Sequence, residues 1–139
     1  MNKERLIELR NFFAGCPEEK VDMISWSYDD PQAGNNEDYS CLTAGCLAGW
    51  GAVYKPFVEL GFHFKKYGNN WMPTFDGYIG EHAFANFFDL DYWSARYLTL
   101  PVYYSDKDRD TRGKIRKDAV LARLDHLIMG NKLIEELVE

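Results

Sequence analysis

The sequence predicts a mainly α-helical, compact single domain: about five helices around a buried central helix at about residues 43–55, plus one small β-hairpin at about residues 62–75. Three observations carry this prediction. The stretch 39–54, YSCLTAGCLAGWGAVY, contains no charged side chain, and a helix that is apolar or small on every side belongs in an interior. Segments before and after it repeat apolar residues at three- and four-residue spacing, the period of an amphipathic helix. One pair of aromatic runs brackets Gly68-Asn69-Asn70, the composition of a short hairpin loop. With 139 residues and 46% hydrophobic content, the chain is long enough to bury about two thirds of its unfolded surface.

The elements follow in order. Residues 3–14 read as a helix with Leu6, Ile7, Leu9, Phe12 and Phe13 inward and Lys3, Glu4, Arg5, Glu8 and Arg10 toward water. Gly15 and Pro17 end it. Val21, Met23 and Trp26 read as an extended or single-turn segment touching the core. Residues 28–40 hold Pro31, Gly34, Asn35 and Asn36 among four acids, which is loop chemistry. In the central stretch Thr43 is the expected N-cap. Cys46, Trp50 and Val53 share one face, while Gly45, Ala48, Gly49 and Ala52 form a small-residue face that admits another backbone. Pro56 and Gly61 are expected to break the chain, and Pro73 to confine the second hairpin strand to an edge. Residues 81–88 and 92–98 read as two helices joined by Asp89-Leu90-Asp91, the second ended by Pro101. The last helix is expected from about Asp110 or Thr111 to Met129, on the stripe Ile115, Val120, Leu121, Leu124, Leu127 and Ile128.

Charge narrows the partner classes. The net charge is −6, and residues 1–40 carry nine acids against four bases. Phosphate backbones require Lys and Arg, so nucleic acid is not the expected partner. A basic patch at Arg112, Lys114, Arg116 and Lys117 keeps a DNA-binding regulator as a third reading. No apolar run approaches the roughly 18 residues of a membrane span. The N-terminus interleaves charges with apolar residues, unlike a signal peptide. Three cysteines, an odd number, suit reduced thiols and a cytoplasmic setting.

The segment CLTAGCLAGW, residues 41–50, resembles a C-x-T-x-x-C-x-A-G-W signature of small uncharacterised bacterial and phage proteins. LIELRNFFAGCPEEKVDMISW resembles their N-terminal part, and AFANFFDLDYWSARYL their helix pair with two adjacent phenylalanines. The resemblance implies a compact helical fold and a phage or prophage origin. It implies no activity and no catalytic residue.

Each candidate chemistry meets a missing component. Cys41 and Cys46, with Cys16 and His63 or His82, fall short of zinc because no second tight ligand pair follows. Cys46 near a helix start invites a nucleophile, yet its flanks predict burial. His126 stands beside Asp125 without a metal-binding repeat. The run Asp106-Lys107-Asp108-Arg109-Asp110 imitates a calcium loop but has Thr111 where glycine and Lys117 where glutamate are needed. The glycines match no phosphate loop. No cofactor, metal or catalytic residue is therefore expected.

What remains is a binding role: a non-enzymatic protein-binding module, in its most concrete form a phage-encoded modulator or inhibitor of a host defence protein. Asp29, Asp30, Glu37 and Asp38 would steer it toward a basic surface on a host or viral protein. Trp71, Tyr78, Tyr103 and Tyr104 would anchor the contact, since aromatic residues dominate protein interfaces. The alternative is a small-ligand-binding or enzymatic domain in which aromatics line a pocket with His82 or Cys46.

Overall fold

The computed structural model describes residues 1–23, 46–68 and 70–130. Within them the protein is mainly helical, with α1 (Lys3–Ala14), α2 (Leu47–Gly51), α3 (Lys55–Glu59), α4 (Gly80–Phe88), α5 (Tyr92–Thr99) and α6 (Lys117–Ile128). Strands β1 (His63–Tyr67), β2 (Asn70–Phe75) and β3 (Tyr78–Ile79) form one antiparallel sheet in that order. Trp26, Thr43, Gly45 and the stop at Asn131 lie outside the described residues.

Residues 46–53 of the central stretch are buried as its composition demands, but the helix there is short. Cys46 has extended backbone (φ −80°, ψ 180°) and serves as the N-cap of α2, its Sγ accepting from the Gly49 amide at 3.4 Å. Every residue of α2 is buried. Gly51, outside the small-residue face expected from the sequence, is the tightly packed glycine of α2: a Cβ there would sit 3.3 Å from the side-chain atoms Leu9 Cδ1 and Phe62 Cε2. Pro56 does not break the chain; it occupies the first turn of α3, where a helix needs no amide from it.

The hairpin appears with β1 pairing β2, and a third strand extends it. Pro73 faces Phe64 on β1, while β3 pairs only with Thr74 and Phe75 beyond it. Among the described residues the proline therefore lies on a free edge, even though β2 becomes central at the very next residue.

The last helix begins at Lys117, later than its apolar stripe suggests. Before it, Arg109 and Ile115 form an antiparallel bridge around Gly113, which has φ +84°. The Asp110 carboxylate accepts from the Arg112 and Lys114 amides at 2.8 and 3.0 Å. That side chain offers the backbone an alternative to helix, and the tight turn wins.

An aromatic cluster joins the layers. Phe62 stacks on Phe87 at 4.8 Å, and Phe57, Phe75 and Phe88 meet Phe87 edge-on at 5.0, 5.1 and 4.9 Å. Arg5 of α1 lies 4.3 Å from the centre of the Phe87 ring and donates to the Phe87 carbonyl. At the other end of α1, Lys117 Nζ donates to the carbonyls of Ala14 and Cys16, both at 2.9 Å, so α6 caps α1. Replacing Phe87 by Ala removes the hub: we expect urea denaturation to show a loss of about 3–5 kcal/mol, and Phe87→Leu less than half of that.

Candidate functional site

Helix α5 has two chemically distinct faces. Ser94, Ala95, Leu98 and Thr99 are buried against the core. Its N-cap is Asp91, whose carboxylate accepts from the Ser94 amide and hydroxyl at 2.8 and 2.7 Å. The opposite face carries Tyr92, Trp93 and Arg96, and Trp93 remains 51% exposed. The i, i+3 and i, i+4 spacing places the Arg96 guanidinium over both rings, 4.8 Å from Trp93 and 5.4 Å from Tyr92. Tyr103, in the 3-10 turn Pro101–Tyr103, closes the third side at 5.4 Å and packs on Tyr97 at 4.6 Å. Val102, 75% exposed, continues the surface, and His82 of α4 stacks on Tyr92 at 4.2 Å. The product is an outward-facing group of aromatic rings clasping one cation.

A second arginine fixes this surface from beneath. Arg123 of α6 donates through Nη1 to the Tyr97 carbonyl and through Nη2 to the Tyr103 carbonyl, the latter at 2.6 Å. Its guanidinium covers the Tyr104 ring at 3.7 Å and lies 3.6 Å from Asp108. The Tyr104 hydroxyl donates to the Leu98 carbonyl at 2.8 Å, and Arg109 donates to the Pro101 carbonyl at 3.0 Å. The carbonyls at the end of α5 and in the turn after it are thus tied down by side-chain donors.

The residues nominated from sequence scatter. Tyr103 belongs to the Arg96 surface. Tyr104 is a correction: at 4% exposure it is a core residue, and burial pushes its hydroxyl pKa up. Trp71 is half-buried on β2, and Tyr78 is exposed on β3. Among the described residues no ring contact joins either of them to the α5 aromatics. Asp29, Asp30, Glu37 and Asp38 lie outside the described residues. Sequence reasoning missed Arg96 and Arg123; the helical spacing of Arg96 from Tyr92 and Trp93 was the available signal for the first.

The other chemistries look different in three dimensions. Three of the four bases at 112–117 serve as internal ties: Lys114 Nζ donates to the Glu18 carbonyl, Arg116 pairs with Asp118, and Lys117 caps α1. Only Lys117 of the four lies on a helix. Among the described residues no group of three or more His, Cys, Asp or Glu is placed to hold a metal ion, and no helix is long and apolar enough to cross a membrane. A groove of about 500 Å³ lies between Val21–Met23 and the turn at 109–115, and one of about 260 Å³ adjoins Asp89 and Ser94. Neither is lined by an aromatic residue, His82 or Cys46.

Searches with family models, curated proteins and solved structures find no match for this chain.

Both described thiols are buried, and burial pushes each up to about 12. Amide donors at Gly49 and Ala48 pull Cys46 down, but less than burial lifts it. A thiol in this state is a poor nucleophile. Iodoacetamide at pH 8 is expected to leave Cys16 and Cys46 unmodified in the folded protein and to alkylate both in denaturant, as read by peptide mass spectrometry. The unfolded chain ionises these thiols first, near 9.0. Their contribution to stability is therefore complete below that pH and falls between pH 9 and 12, which urea midpoints measured across the range will register.

Proposed function

We propose that the protein is a non-enzymatic binding module that acts by occupying a surface of another protein. The observation that carries this reading is the α5 surface. Trp, Tyr and Arg are the residues over-represented at binding hot spots, and here they gather on one face with Trp93 half in solvent. Two features favour a contact surface over a small-ligand pocket. The rings face outward from the fold, and the backbone of Tyr97 and Tyr103 is held by the Arg123 guanidinium, so little conformational freedom remains to be lost on binding. The most concrete form of the reading, a phage-encoded modulator or inhibitor of a host defence protein, rests on the resemblance of residues 41–50. Asp29, Asp30, Glu37 and Asp38 would then speed encounter with a basic region of the partner, while the aromatic face supplies the lasting contact.

A photo-crosslinking residue at Val102 tests this in bacterial lysate. We expect one dominant protein adduct, reduced at least about tenfold by Trp93→Ala, a hot-spot loss of about 1.4 kcal/mol or more. Circular dichroism should show the variant folded. Adducts unchanged by Trp93→Ala, or the same adducts from a crosslinker at Lys66, would contradict the proposal.

A further inference from the structure

Among the described residues, the α5 surface contains a cation with no anion paired to it. Among the described residues no carboxylate pairs with Arg96, and none of its nitrogens donates a hydrogen bond to the protein; Nε is fully shielded and lacks an acceptor. Three acids of the flanking segments have other donors. Tyr92 donates its hydroxyl to Glu81 at 3.2 Å, Asp91 accepts from Ser94, and Asp108 accepts from Ser105 while facing Arg123. Three rings lie within 5.4 Å of the guanidinium and strip water from it. The terminal nitrogens keep access to solvent.

A guanidinium in this state is half prepared for an anion. Stacking desolvates its faces but leaves the in-plane N–H groups, whose fork matches a carboxylate with two parallel bonds. Part of the desolvation cost of an ion pair has already been met in the free protein, and the stem has little rotamer freedom left to lose. The surrounding rings dictate what accompanies the anion: apolar side chains that can lie against Trp93 and Tyr103.

We propose, building on the protein-contact reading, that Arg96 is the recognition centre of this surface and that the partner presents an Asp or Glu carboxylate flanked by apolar side chains. The carboxylate accepts from the terminal nitrogens of Arg96, and the apolar flanks cover Trp93, Val102 and Tyr103.

The test compares two synthetic probes on the wild-type protein, acetyl-Phe-Glu-Leu-Glu-amide and its twin with Gln for both Glu, with sodium phosphate as a third arm. The readouts are the Arg96 Nε–H and Trp93 indole N–H resonances. We expect the acidic peptide to shift both and to bind at least about fivefold tighter than the Gln twin, as charge-assisted bonds to an ordered guanidinium require. In Arg96→Lys, which keeps the charge but not the fork, that preference should fall toward unity. Equal shifts from both peptides would overturn carboxylate recognition while leaving the aromatic contact surface standing. Saturation by phosphate at the same concentration would reveal a general anion site and overturn it too. The absence of any shift from the acidic peptide would overturn it outright.

Discussion

The outer surface depends on one largely shielded arginine. Arg123 sends its two terminal nitrogens to the carbonyls of Tyr97 and Tyr103 and lays its plane on Tyr104. Buried carbonyls without donors each cost about 1–3 kcal/mol, so the turn after α5 has a strong reason to keep this arrangement. Its consequence lies one layer out, since Tyr103 forms one wall around Arg96 and Tyr97 supports it. Two arginines about seven and a half helical turns of sequence apart would be unrelated in an extended chain; the packing of α6 against α5 couples them through a single turn.

Aromatic residues divide by chemistry between the two layers. The phenylalanines at 57, 62, 84, 87 and 88 have no polar atom to satisfy, and all are essentially inaccessible. Their edge-on and stacked contacts bind α3, α4 and the sheet into one core. Tyrosine and tryptophan carry a polar atom and sit where it finds a partner: Tyr104 on Leu98, Trp50 on the Lys20 carbonyl, and Tyr92 on Glu81. The rings left at the boundary are then available to another molecule. The same division accounts for the raised pKa of Cys46: it shares the layer in which charge is most disfavoured.

Much of this was legible in the sequence, and the failures have physical causes. Helix α1 and the pair α4 and α5 follow their expected spans closely, although Ile7, expected inward on α1, is 41% exposed because Leu6, Leu9 and Phe13 already fill the buried face. The start of α6 was misplaced because Ile115 continues the apolar stripe while belonging to a strand-like bridge, and the competing Asp110 turn leaves no periodic trace. The central helix looked longer than α2 because burial and helicity give the same uncharged signature. Tyr103 and Tyr104 are indistinguishable as neighbours in sequence; a 3-10 turn sends one outward and the other into the core. Arg96 and Arg123 were hard to see, because an isolated arginine on a helix reads as a solvated charge until the aromatic rings or carbonyls around it are placed.

The central claim is that the α5 surface is built before any partner arrives. Side-chain ¹⁵N relaxation at Arg96 Nε and Trp93 Nε1 in the free protein measures this directly on the ps–ns timescale. The account predicts order parameters approaching the value of about 0.85 typical of rigid backbone, with both falling when Arg123 is replaced by Met. Values below about 0.6 for both groups in the unmodified protein, the range of mobile chain, would contradict it.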